Sequence, residues 1–372
     1  MRIKNILHLY AGRETPYPDN FVGVGANLCW LGYDAVSVDI RQLTVDDYEN
    51  ICRRFAPDMV LCLLRNGADL RRAVELHRRP CSVPLVSWYQ EDPNGVFRDN
   101  TIPVSASFDF WFSIDRHMIP FYQTRAYFLP PCFDSFYYYE RHLLRSADVA
   151  YVGQLGHRRS EAMLLPYMRV LANHRGILCL ERQISVGEGV ATGAWDKVAS
   201  RVPFRLGRRA KRVAELLGMG PRPSGVIKAG QWFRPRDEYE KALVNSRCKI
   251  AIGLSRVWGD WEEPLRAQLP KYQLDCTGFF YQPKGRSFEA VGGGAMLLND
   301  YYPELEEMFD IGKEIISFEF GNLEDFSGKL GWYIKHDSER EGIAAAGYAR
   351  ARKEHSLANR LRQMIRIVEK QI

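Results

Sequence analysis

The sequence predicts an α/β protein built as two doubly wound domains. Three observations carry this. Short apolar runs alternate with helical patterns from the N-terminus onward, the signature of parallel sheets with crossover helices. The pattern breaks at a polar, aromatic-rich connector near Phe136–Ser146 and restarts at Ala147. At 372 residues, 46% hydrophobic and 12% aromatic, the chain has enough apolar material for two ordinary cores. The expected division is a first domain over 1–142, a second over 143–352, and a terminal helix over 353–372.

In the first half, strands are expected at Lys4–Tyr10, Ala35–Asp39, Asp58–Leu64, Val83–Trp88, Phe108–Ser113 and Arg125–Leu129. Helices fall between them: one carrying F-V-G-V-G-A-N-L-C-W-L and closed by Gly32, one over Asp46–Phe55, one over Asp69–Arg79. The G-V-G-A-N run fails the spacing of a dinucleotide fingerprint and lies inside a helix, against a dehydrogenase. Ligands of such sheets sit beyond the carboxyl ends of the strands, which places Glu14, Asp19, Glu91 and Asp92 at one rim. In the second half, strands are expected at Ala147–Val152, Gly176–Leu180, Ser224–Ala229, Lys249–Leu254 and Ala295–Asn299, with a further one ending at Phe318–Phe320. Helices begin near Ser160 and span Arg236–Ser246, Leu323–Lys335, Asp337–Arg350 and Ser356–Glu369.

The segment Gly278–Asp300 organises the second half. A short helix opens near Gly285–Ser287, and a helix start offers unpaired N–H groups and a partial positive charge to an anion. Arg286 adds a planar fork suited to phosphate. Glu289, one turn on, points back toward the same opening and can accept from sugar hydroxyls. Gly292–Gly294 let the chain turn sharply into the next strand. On local chemistry alone the alternative is an ordinary helix with solvated Arg and Glu.

Net charge is +6, from 51 basic and 45 acidic residues. That fits an anionic ligand or a membrane surface without requiring nucleic acid, for which no motif is present. The basic run at 205–212 reads either as an exposed helix face or as a cover for an anionic acceptor or acidic lipid. No apolar run reaches transmembrane length, and the N-terminus reads as a strand, not a signal peptide. The eight cysteines are scattered and form no C-x-x-C pair, so reduced core thiols in a cytoplasmic protein are expected, with no metal site.

The block K-G-R-S-F-E-A-V-G-G-G-A-M-L-L-N-D, then Y-Y-P-E-L-E-E-M-F-D-I-G-K-E-I-I-S-F, E-F-G-N-L-E-D-F, H-D-S-E-R-E-G-I-A-A-A-G and K-E-H-S-L-A-N-R resembles the C-terminal domain of CgeB-type (spore maturation protein B-like) glycosyltransferases, of the GT-B class. The resemblance covers roughly residues 225–366. S-W-Y-Q-E-D-P-N, F-D-F-W-F-S-I-D and F-L-P-P-C-F-D resemble the N-terminal half more loosely. It implies the GT-B fold, two facing Rossmann-like domains with a cleft between them, and sugar transfer from a nucleoside-diphosphate donor without an obligatory metal or other cofactor.

The R-x-F-E segment, with Gly285, Ser287 and Phe288, would then lie at the nucleotide-sugar site, with Arg286 facing the diphosphate and Glu289 the ribose. Arg158 and Arg159 would serve the donor phosphates, or are solvated. Gly230 would let the nucleobase approach, and Trp232 would stack on it or pack in the core. Many retaining relatives carry a second Glu where this chain has Tyr281. Any base for an inverting reaction would be Asp19, Glu14, Glu91 or Asp92. The acceptor stays open: glycan, lipid, protein or small molecule, with a peripheral contact at the inner membrane face. Two other functions stay open, a non-catalytic nucleotide-sugar-binding or surface-layer assembly protein and a nucleic-acid binder motivated only by charge.

Overall fold

The computed structural model describes residues 2–11, 20–77, 82–90, 100–153, 158–180, 232–233, 238–258 and 279–372. Among these residues, two six-stranded sheets, parallel throughout, form the frame.

The first contains β1 (Asn5–Tyr10), β2 (Asp34–Asp39), β3 (Met59–Leu63), β4 (Leu85–Tyr89), β5 (Phe110–Ser113) and β6 (Arg125–Phe128), in the order β2-β1-β3-β4-β5-β6. Helices α1 (Asn20–Trp30), α2 (Val45–Phe55), α3 (Gly67–His77) and α4 (Thr101–Ser105) connect them. Strand alternation sends Leu7, Leu9, Val60, Cys62 and Trp111 to one face and Ile6, Met59, Leu61, Trp88 and Phe112 to the other. Both faces are covered, which is why β3, β4 and β5 read as unbroken apolar runs. Local chemistry explains the helix ends. Thr44 and Asp47 form a reciprocal capping box at the start of α2.

The second sheet contains β7 (Ala147–Gly153), β8 (Gly176–Leu180), β9 (Trp232–Phe233), β10 (Cys248–Gly253), β13 (Met296–Asp300) and β14 (Ile316–Phe318), in the order β14-β13-β10-β7-β8-β9. An antiparallel pair, β11 (Arg256–Trp258) with β12 (Phe279–Tyr281), stands apart from it. The helices are α5 (Arg158–Leu171), α6 (Glu238–Arg247), α7 (Gly285–Gly292), α8 (Glu304–Met308), α9 (Leu323–Lys335) and α10 (Asp337–Glu354). Helix α11 (Leu357–Glu369) leaves the second domain and packs Leu357, Leu361, Met364, Ile365 and Val368 into the first core. Arg360 ties it down by donating to the Pro130 carbonyl at 3.1 Å.

Two details differ from the sequence reading. The strand expected to end at Phe318–Phe320 ends at Phe318, because Glu319 already donates to Asp325 at the start of α9. Cys29 is exposed rather than in the core, since it lies on the outer side of α1, while Cys52, Cys62 and Cys248 are buried. The strand expected at 224–229 lies outside the described residues. None of the described helices is long and apolar enough to cross a membrane.

Candidate functional site

The second sheet changes winding direction between β7 and β10, and open α/β sheets bind ligands beyond the carboxyl ends of the strands at such a point. Helix α7 delivers its residues there. Its cap position, Lys284, is extended and makes no side-chain cap, so the helix mouth is not closed by its own capping side chain. The helix is held from behind. Phe288 is fully buried against Phe309 and His355, and Ser287 donates to the Asn299 amide oxygen at 2.8 Å. Both therefore face the body of the domain and act as anchors. The glycine run that follows has a steric cause. A Cβ on Gly292 would stand 2.5 Å from the Phe133 ring, and Gly294 has φ +85°.

Arg286 lies across the switch point. Its guanidinium donates to the Tyr151 hydroxyl of β7 at 3.1 Å and to the Leu254 carbonyl just after β10 at 3.2 Å. Gly153 makes room for it, since a Cβ there would come within 1.7 Å of Arg286 Nη1. Helix α5 begins five residues after Gly153, with Arg158 and Arg159 in its first turn. Beneath the rim, Asp300 is fully buried. It accepts from the Ser255 amide at 2.7 Å, and Arg256 Nε stands 3.5 Å from its second oxygen. Burial pushes its pKa up to about 6, against the pull of Arg256.

Glu289 is buried one turn into α7. One oxygen, Oε1, lies 3.8 Å from the place a Gly285 Cβ would occupy, so it looks back toward the helix mouth. The other, Oε2, forms an ion pair with Lys241 of α6 at 2.7 Å from Nζ. Lys241 also stands 3.7 Å from Glu238, whose other oxygen accepts the Tyr138 hydroxyl of the connector.

The first domain meets this rim through the turn after β5. Asp115 is buried and faces Gln282 Nε2 at 3.4 Å, and Gln282 in turn accepts from Lys284. His117 sets its ring edge-on to Tyr281 at 5.2 Å and stands 3.8 Å from the Glu304 carboxylate. Arg116 pairs with Glu307 of α8. Burial raises the Asp115 pKa to about 7 and lowers that of His117, the latter against the pull of Glu304. Tyr281 is half-buried, stacked on Tyr302 at 5.7 Å with Arg256 over its ring at 5.6 Å; burial, then Glu304, push its pKa to about 12.

Of the residues singled out in the sequence, Arg286, Glu289 and Gly285 lie together in the first turn or so of α7, with Ser287 and Phe288 behind them, while Tyr281 stands against His117 of the first domain. The structure describes only the backbone of Arg158, Arg159 and Trp232, the last, in β9, pairing with Leu178 of β8. Glu14, Asp19, Glu91, Asp92 and Gly230, and the basic run at 205–212, lie outside the described residues. Sequence reasoning passed over Asp115, His117, Gln282, Lys284, Lys241 and Glu304. Asp115 and His117 were within reach, because they follow a strand end as closely as the residues that were chosen. Lys241 had no local signal.

The frame is that of the GT-B fold: two Rossmann-like domains, each built on a parallel sheet. Residues 209–366 match the family model described as "Glycosyl transferase-like". Solved structures with the same fold include sucrose-phosphate synthase from Thermosynechococcus elongatus, with a TM-score of 0.59 at 10% identity, covering 99% of this chain and 100% of that one. An α-glucosyltransferase in complex with UDP and a 13-mer DNA has a TM-score of 0.58 at 10% identity, covering 98% and 99% of the two chains. HepE of Anabaena, in complex with UDP and glucose, has a TM-score of 0.56 at 10% identity, covering 99% and 100%. A search of curated proteins found no match.

Proposed function

We propose that the protein is a glycosyltransferase that moves a sugar from a nucleoside-diphosphate donor to an acceptor. The observation that carries this is the placement of Arg286 at the switch point between β7 and β10, next to a helix mouth without a side-chain cap, where the Gly285 Cβ position lies 4.0 Å from the Cys132 carbonyl. Departure of a nucleoside diphosphate requires neutralising the charge that develops on it, and a guanidinium with helix amides supplies this in a partly dried site. The family match over 209–366 supports the same reading. Neighbours in complex with UDP and glucose make UDP-sugars the first donors to test. Within the class, the ordered blocks of the second domain favour the CgeB-type group.

In this reading Glu289 takes ribose hydroxyls, the Arg158–Arg159 turn approaches the phosphates, and the acceptor lies toward the first domain. Asp19, Glu14, Glu91 and Asp92 are the rim carboxylates available as a base. Asp115, in the turn after β5, is a further candidate, with a pKa near the working range of a general acid or base. The test is a panel of nucleotide sugars assayed for hydrolysis and transfer, with Arg286→Ala as control. Arg286→Ala is expected to lower turnover by at least a hundredfold while melting within a few degrees of wild type. Wild-type turnover by the folded variant would remove the assignment.

A second reading, a binding protein with a GT-B-like pocket and no transfer activity, is favoured by Tyr281. Its ring is packed by Tyr302, His117 and Arg256 at the position where many retaining relatives place a carboxylate against the donor sugar. Tight donor binding with neither hydrolysis nor transfer across the panel would support it.

A further inference from the structure

Helices α6 and α7 pack side by side, so close that a Cβ on Gly293 would meet Asn245 at 2.9 Å. On the shared seam Lys241 is the cation of a buried group. Its ammonium contacts Glu289 at 2.7 Å and Glu238 at 3.7 Å, and the Tyr138 hydroxyl donates to Glu238. The side chains of Glu289, Glu238 and Lys241 are only 3%, 7% and 14% exposed. In so dry a setting a charge pair holds its geometry firmly, and removing one member leaves the other uncompensated. The two oxygens of Glu289 are thereby divided. Oε2 goes to Lys241, while Oε1 looks toward the mouth at Gly285.

We infer that Lys241 is the positioning residue for Glu289: by holding Oε2 it aims Oε1 at a ribose hydroxyl of the nucleotide, and so sets the preference for ribonucleotide over deoxyribonucleotide donors. This rests on the donor-site reading above. Lys241 touches neither substrate nor reacting atoms and acts through Glu289. Tyr138 belongs to the connector between the domains, so Tyr138→Phe loosens Glu238 and is expected to weaken the effect to a smaller degree.

The experiment is calorimetric titration of the full chain with the four common nucleoside 5′-diphosphates and their 2′- and 3′-deoxy forms. Wild type, Glu289→Gln, Lys241→Met, Lys241→Gln and the Glu289→Gln/Lys241→Met double variant are compared, with melting temperature as the check on folding. Wild type is expected to prefer the ribonucleotide by roughly ten- to a hundredfold, the range of one hydrogen bond to a charged acceptor. Glu289→Gln should lose most of that preference and Lys241→Met nearly as much. The double variant should match Glu289→Gln alone, since both changes remove one effect.

A folded Lys241→Met protein that keeps the wild-type preference overturns the inference. Should that variant not fold, Lys241→Gln, which keeps a donor without the charge, is read in the same way. Failure of both to fold assigns the pair to stability and also overturns it. The donor-site reading fails separately, if wild type binds none of the diphosphates.

Discussion

Arg286 and Glu289 stand three residues apart on α7, yet the fold points them to different places. Arg286 reaches sideways to the ends of β7 and β10, and Glu289 turns back along its own helix. Loss of a charge-assisted contact costs about 1.5–3 kcal/mol, so Arg286→Ala should weaken nucleoside-diphosphate binding roughly ten- to a hundredfold, read by calorimetry. Asp115 carries a pH dependence. Burial raises its pKa from 3.8 to about 7, so the folded state holds the proton more tightly than the unfolded chain. The associated stability is present in full below about pH 4 and is lost as pH climbs toward 7. The sum is up to about 4 kcal/mol for a shift of this size. Asp115→Asn should flatten stability against pH over that window, as measured by denaturant midpoints between pH 4 and 8. A variant with the same slope as wild type would show that Asp115 does not titrate in this window.

At the scale of elements, the close approach of β7 to α7 is the feature to probe. Gly153→Ala places a methyl within 1.7 Å of Arg286 Nη1 and must push the guanidinium off the switch point. Donor binding should fall about tenfold or more, while the strand, buried and fully paired, keeps its fold. Nucleotide titration beside a thermal melt checks both. Most elements were legible in sequence because their patterns are strong. Apolar runs bounded by turn residues marked the core strands, Gly32 marked the end of α1, and Asn322 and Ser356 cap α9 and α11 through their side chains. The β11–β12 pair escaped notice, since each strand is three residues long and neither carries a period. Helix α8 escaped for the same reason, at five residues.

At the scale of the molecule, α11 and the turn after β5 join the two domains. Leu361 is fully buried against the first sheet although it lies near the end of the chain. Leu361→Ala should destabilise the protein by about 2–5 kcal/mol, seen as a lower denaturant midpoint. An unchanged midpoint would mean that α11 adds nothing to the first core. Across the cleft, Arg116 and Glu307 link the domains by exposed charges, and such a pair contributes little. His117 stands 3.8 Å from the buried Glu304 carboxylate.

By itself the chain determined two β-α series, the break between them, and the helix that opens at Gly285 and carries Arg286 and Glu289. Those are local matters, set by residue periodicity and turn chemistry. Only the tertiary structure decided that Phe288 and Ser287 serve as anchors, that Lys241 holds one oxygen of Glu289, and that Asp115 and His117 face Gln282, Tyr281 and Glu304. The reason is physical. A helix fixes which residues share a face, but what lies opposite that face depends on contacts between segments far apart in the chain, and no local pattern records them.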